Sequence, residues 1–147
     1  MKINTKYFGE MDVAETDVIH FPEPLQGFEL SPEYIIIRFD DDDDSLLCLQ
    51  SMVDPNLAFV LVNPFYLIED YAPSITMEDL DTLEAEQNTP LAFYAVAVIH
   101  ENWMDSTINL RCPIAVNPEK QLGKQLIMDQ NAYSMRHPIS AGSQKEV

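Results

Sequence analysis

The sequence predicts a mainly β fold: a small antiparallel β-barrel or sandwich-like single domain with one short helix at about residues 76–87. Three observations carry this expectation. Short apolar runs of strand length recur along the chain, separated by proline, glycine, asparagine and aspartate. Only one stretch has the apolar spacing of a helix. The 147 residues, 46% hydrophobic and 22% charged, suffice for one core that needs no disulfide or metal staple.

The elements follow in chain order. Pro22, Pro24, Gly27 and Pro32 mark a loop. Residues 34–39 and 46–49 read as strands flanking the acidic run 40–44, which takes the place of a turn. Asp54-Pro55-Asn56 is a tight turn. Residues 57–62 and 91–99 are continuous apolar runs, as expected of strands covered on both faces. In the helical stretch Thr76 can cap the start and Asp79 can answer it three residues on. Glu78, Asp79 and Asp81 suit the positive end of the helix dipole, Met77, Leu80 and Leu83 form the inward stripe, and Asn88 to Pro90 ends it. Finally Ile108, Leu110, Cys112, Ile114 and Val116 alternate with Asn109, Arg111, Pro113, Ala115 and Asn117, the pattern of one long half-buried strand. Pro113 has no N–H to donate, so that strand must bulge or lie at an edge there. The domain is expected to span 1–138, with 139–147 a loose polar tail.

Charge is distributed unevenly. Residues 1–105 carry 22 acidic and 3 basic side chains, whereas 106–147 carry 3 acidic and 5 basic. The net charge of −17 repels phosphate backbones and anionic lipid, and it speeds encounters with basic proteins. Direct nucleic-acid binding is thereby disfavoured, because such affinity rests on neutralising phosphates with Lys and Arg. The N-terminus lacks a signal-peptide apolar run, and the longest apolar run falls well short of a membrane span, so a cytoplasmic protein is expected. Cys48 and Cys112 sit in apolar segments and read as small buried hydrophobes.

Tests for chemistry fail one after another. A calcium loop starting at Asp40 would need glycine at its sixth position and glutamate at its twelfth, and these are Ser45 and Ser51. His20, His100 and His137 have no companion at metal-ligand spacing. No nucleophile elbow surrounds Ser45, Ser51 or Ser106, and the few glycines build no phosphate-cradling loop. No catalytic residue, metal site or cofactor is expected.

One stretch reads as a contact surface. Asn63-Pro64-Phe65-Tyr66-Leu67-Ile68-Glu69-Asp70-Tyr71-Ala72-Pro73 sets three aromatics and two acids between prolines, and aromatic anchors with a charged rim are what protein interfaces use. Phe65, Tyr66, Glu69, Asp70 and Tyr71 are therefore candidate partner-contact residues, with Asp40, Asp41, Asp42, Asp43 and Asp44 as steering charge. The same stretch also reads as a lid, with Phe65 and Leu67 closing one barrel end and Tyr66 and Tyr71 half-buried. The residues alone favour neither reading.

At this point the chain resembles the flagellar assembly factor FliW family. The block Leu49-Gln50-Ser51-Met52-Val53-Asp54-Pro55-Asn56-Leu57-Ala58-Phe59, followed by Asn63-Pro64 and Tyr71, carries the resemblance. A second block runs from Ile108 to Asn117, then Gly123-Lys124-Gln125, Tyr133 and Arg136. Where the family usually has a Gly-Leu-Pro-Gly-Phe type turn, this chain reads Pro24-Leu25-Gln26-Gly27-Phe28. The resemblance implies a small β-barrel-like fold without enzymatic activity, which binds the RNA-binding translational regulator CsrA and also binds flagellin. Flagellin then switches the factor off CsrA, and repression of flagellin mRNA returns. Most of the shared residues look structural rather than partner-binding. The stretch with Arg111, Lys120, Lys124 and Arg136 is expected to face away from CsrA. Two other classes stay open: a flagellin-specific chaperone or secretion module without CsrA antagonism, and a small hydrolase acting on a basic or sugar substrate.

Overall fold

The computed structural model describes residues 1–128 and 133–139. The chain opens with a hairpin, β1 (Lys2–Thr5) and β2 (Gly9–Asp12), which pairs Thr5 with Gly9. Gly9 adopts a φ of 68°, which costs glycine nothing. The polar residues of these strands give no strand signal in the sequence. Ile3 and Met11, with Phe8 of the turn between them, nonetheless pack against buried Val13, Ile35, Ile37 and Cys48.

The main sheet contains β3 (Val18–His20), β4 (Glu33–Asp40), β5 (Asp43–Ser51), β6 (Ala58–Val62), β7 (Ala92–Val98), β8 (Thr107–Ile108), β9 (Ile114–Asn117), β10 (Leu122–Gln125) and β11 (His137–Pro138). Strands β7-β6-β5-β4-β3-β10-β9 follow one another, and β9 pairs back onto β7, so seven strands close into a barrel. Closure removes the open sheet edges that would otherwise template aggregation. The mainly β barrel is thus the fold that the sequence predicts, with one departure: β10 runs parallel to β3. The interior is filled by Phe21, Tyr34, Leu49, Leu61, Ile114 and Val116, among others. Gly123 of β10 faces the Phe21 ring so closely that a Cβ there would lie 2.6 Å from Phe21 Cζ.

Four expectations need correction. The helix is shorter than 76–87: α2 spans Met77–Thr82. The expected capping box is present, with Asp79 N donating to Thr76 Oγ1 and Thr76 N donating to Asp79 Oδ2. Glu84, at φ 52°, then turns the chain left-handed, while Ala85 N donates to the Leu80 carbonyl and Glu84 N to that of Asp81. This is the bonding of a Schellman stop, with glutamate where glycine normally advertises it.

The acidic run is mostly strand rather than turn, since β4 reaches Asp40, β5 begins at Asp43, and Asp40 pairs with Asp43. A second helix, α1 (Pro64–Leu67), follows β6. Asn63 caps it by accepting from Phe65 N at 2.9 Å, and proline at the first helical position loses no bond.

The long strand expected over 108–117 is two strands, β8 and β9, both lying along one side of β7. Residues 109–113 form an excursion between them, the bulge that Pro113 requires. Asn109 Oδ1 accepts from both Arg111 N and Cys112 N, an Asx turn that breaks the ladder. All four residues of β9 are buried, so the alternation does not extend to it.

Cys48 and Cys112 are free and buried, and burial pushes the Cys48 thiol up to about 11. Ile139 packs against the buried cluster that holds Val62, Tyr71, Ile108 and Leu110, and the remainder of the expected tail, 140–147, lies outside the described residues. No helix among the described residues is long and apolar enough to cross a membrane.

Candidate partner-binding surface

The segment singled out by its aromatics forms one end of the barrel. Val62 ends β6 inside the core, and the proline-led turn of α1 then throws Phe65 and Tyr66 outward. Tyr66 is 58% exposed and Phe65 39%, with Glu69 and Asp70 exposed beside them. Phe65 leans edge-on against Tyr71 at 5.7 Å and Phe93 at 6.3 Å between ring centroids. Four of the five candidate residues thus share an accessible surface.

Tyr71 lies beneath that surface, only 4% exposed. Its hydroxyl donates to the Leu110 carbonyl at 2.5 Å, and its ring meets Tyr133 at 4.7 Å. Burial in this apolar setting drives the phenol well above its ordinary pKa, with the Tyr133 and Cys112 groups adding to the effect. The Tyr133 hydroxyl in turn accepts from Ala72 N at 3.0 Å, which ties down the chain just after Tyr71. Tyr66 and Tyr71 are therefore not half-buried as the lid reading expects: Tyr66 is exposed, and Tyr71 is buried and holds the segment that carries it.

The aspartates at 40–44 lie on the β4–β5 tip, all exposed. Arg38 Nε pairs with Asp44 at 3.0 Å, and Asp43 accepts from both the N–H and the hydroxyl of Ser45. Those Ser45 bonds hold the fully exposed Asp43 carboxyl below its usual range. Most of the tip's charge is left facing water. The basic stretch expected to face away from CsrA is weaker than its sequence suggests. Lys124 is matched by Asp79 at 2.7 Å and Glu23 at 3.1 Å, and Arg111 Nε donates to the Tyr133 carbonyl.

An apolar groove of about 300 Å³ adjoins α1, lined by Leu46, Val62, Tyr66, Leu67, Ile99 and Trp103 among others. Sequence reasoning missed it because its residues come from four separate elements. The one available signal was the single tryptophan, set in Glu101-Asn102-Trp103-Met104-Asp105 and 51% exposed. A large aromatic among carboxylates is an unusual companion for a purely structural loop.

Gln50 and Ser51, in the first of the blocks that carry the resemblance, are structural here. Gln50 is fully buried, and its Nε2 faces the carbonyls of Ser51, Asp54, Pro55 and Leu57. Ser51 Oγ accepts from Val53 N and Asp54 N, so this pair builds the β5–β6 turn. No group of three or more metal-ligating side chains occurs among the described residues.

The FliW protein family model matches residues 2–139. A flagellar assembly factor FliW from Caldanaerobacter subterraneus subsp. tengcongensis is 37% identical over 139 residues, covering 95% of this chain and 93% of that protein. One from Alkaliphilus metalliredigens is 34% identical over 145 residues, covering 99% and 90%. A solved crystal structure of the flagellar assembly factor FliW superposes with a TM-score of 0.88 at 29% identity, covering 95% of this chain and 96% of that one. By the extent of these matches, the chain belongs to the FliW family.

Proposed function

We propose that this chain serves flagellar assembly as a non-enzymatic partner switch. It binds a CsrA-type translational regulator, relieving repression of flagellin mRNA, and it also binds flagellin, which displaces the regulator. The observation that carries the reading is the pairing, on a chain of this family, of an exposed aromatic turn with an acidic tip. Phe65, Tyr66, Glu69 and Asp70 supply the contact, Tyr71 holds them in place, and Asp40 to Asp44 supply the steering field. The protein works in the cytoplasm, where both partners are made.

An RNA-binding regulator must present basic surface to phosphates. A docked partner of charge −17 raises the cost of bringing RNA close even where it covers no RNA contact. Relief of repression then rests partly on the field. RNA affinity of the regulator complex, followed against salt, tests this: screening should partly restore RNA binding. Exclusion of RNA at high salt from an intact complex would sink the field in favour of direct blocking or a shape change.

The reading as a whole is tested by mixing purified protein with CsrA and with flagellin, separately and then together. Mutual displacement supports the switch. Binding of flagellin alone supports a dedicated flagellin chaperone instead, and binding of neither reopens the enzyme class.

A further inference from the structure

The groove beside α1 has properties that point to one kind of occupant. Leu46, within β5, and Val62, at the end of β6, are cross-strand partners, and together they form part of its wall. Trp103 stands in a short turn whose Asn102 cap accepts from Met104 N, and the following Ser106 Oγ accepts from His100 N at 2.9 Å. The loop carrying Ile99 and Trp103 is thus tied at both ends, so the groove is preformed and loses little freedom on binding.

The polar side chains of Ser45, Asn63 and Ser106 in its lining are already engaged. Ser45 donates to Asp43, Asn63 caps α1, and Ser106 holds His100. What remains open is hydrocarbon. Trp103, Ile99, Tyr66 and Leu46 are each more than two-fifths exposed. Contiguous exposed apolar surface rimmed by polar residues marks a binding site more often than a defect.

The rim decides the occupant. Within two residues of the lining positions along the chain stand Asp43, Asp44, Glu69, Glu101 and Asp105; Arg38 matches Asp44, and the other four have no ion-pair partner among the described residues. A second copy of the chain would press like acids together, at a net charge of −17 on each. The chain beyond Ile139 reads Ser-Ala-Gly-Ser-Gln-Lys-Glu-Val and offers no large apolar side chain. The geometry points to an amphipathic polypeptide segment, with large apolar side chains along one side and lysine or arginine flanking them, as the ligand of this groove. This rests on reading the α1 end as a protein-binding surface, and not on CsrA or flagellin being what binds there.

Trp103 is the only tryptophan, so its emission reports occupancy directly. The probe is a synthetic peptide of leucine and lysine alone, long enough for about five helical turns. It should shift Trp103 emission to the blue with saturation, and Ile99→Ser or Leu46→Ser should weaken it about tenfold. Both sites are partly exposed, so the variants keep the fold.

A serine–lysine peptide of equal charge that binds as tightly, regardless of Ile99→Ser, would overturn the proposal in favour of charge alone. A leucine–glutamate peptide binding equally well would overturn the basic flank. Blue-shifted emission from a dimer without peptide would assign the groove to a second copy. Failure of the peptide with CsrA or flagellin still bound sinks the groove alone, and the opposite result sinks only the functional reading.

Discussion

Tyr71 and Leu110 are joined by a 2.5 Å hydrogen bond across 39 residues of chain, from the tyrosine hydroxyl to the backbone carbonyl. Leu110 lies in the excursion between β8 and β9, where the ladder with β7 is interrupted and backbone groups need other partners. Its N–H goes to the Ser134 carbonyl, the Arg111 carbonyl accepts from Met128 N, and the Pro113 carbonyl accepts from Leu126 N. Tyr71 completes this set while anchoring the segment that presents Phe65 and Tyr66. One residue therefore serves both the barrel and the candidate surface.

Replacing Tyr71 by phenylalanine keeps the ring and leaves the Leu110 carbonyl buried without its donor. The expected loss is about 1–3 kcal/mol of stability, read as a lower urea midpoint at unchanged slope. Partner dissociation should hardly change. Tyr71→Ala removes the ring as well and would unseat the segment, so only the phenylalanine variant separates anchoring from contact. A Tyr71→Phe protein of unaltered midpoint would show that the hydroxyl contributes nothing.

Tyr66→Ala is the converse case. The side chain is largely exposed, so stability should stay within about 0.5 kcal/mol. Dissociation of the bound partner should accelerate about tenfold, because truncation of an aromatic anchor acts mainly on the off-rate. Stopped-flow or surface-plasmon traces at matched folded fraction would check it. An unchanged off-rate would remove Tyr66 from the interface.

Reversing Asp41 and Asp42 to lysine should act on the other rate constant. These two form the tip of the β4–β5 hairpin, whereas Asp43 and Asp44 also make local bonds to Ser45 and Arg38. Association with a basic partner should slow at low salt, with dissociation preserved, and the difference should vanish as salt screens the charges. A deficit that persists at high salt would mean direct contact rather than steering.

How much of this was legible beforehand depended on whether the signal was local. The capping box of α2 is a four-residue pattern, and Thr76 and Asp79 behave as it requires. Pro113 advertised its own break in the ladder. The helix stop was hidden because Glu84 takes a conformation normally betrayed by glycine. The β1–β2 hairpin was hidden because its strands are mostly polar and pack only part of one face. In the candidate surface the aromatics of 65–71 were visible as composition, but composition could not tell that Tyr66 points out and Tyr71 in. The groove was invisible, since Leu46, Val62, Ile99 and Trp103 meet only when β5, β6 and the chain after β7 come side by side.

Gly123→Ala should destabilise the barrel although alanine suits most strands better than glycine. The added methyl would stand 2.6 Å from Phe21 Cζ and 2.8 Å from Cε2. Phe21 cannot retreat, being fully buried and held edge-on by Tyr34 at 5.4 Å. Overpacking of this kind costs about 1–3 kcal/mol. Adding Phe21→Leu should recover part of the loss, a coupling that a double-mutant cycle in urea would measure. Additive effects would place the strain elsewhere.

The Asp79–Lys124 pair fastens α2 to β10 and sets a pH dependence at both extremes. For Asp79, burial alone would raise the pKa, but the Lys124 contact and the Thr76 cap outweigh it and hold the carboxyl below its ordinary 3.8. For Lys124, burial would lower the pKa, but Asp79 and Glu23 outweigh it and lift the ammonium above 10.5. A lowered carboxyl pKa contributes stability that is present above 3.8 and lost as pH falls through the folded-state value. A raised ammonium pKa contributes stability that is present below 10.5 and lost as pH rises through its folded-state value. Asp79→Asn should therefore lower the urea midpoint near neutrality, and the gap to the parent should narrow in acid. Because Asp79 also accepts from Thr76 N, the variant should additionally fray the first turn of α2, whereas Lys124→Met should leave that cap intact. If the gap between parent and Asp79→Asn stayed constant from neutrality down to full protonation, the pair would hold no charge-dependent stability.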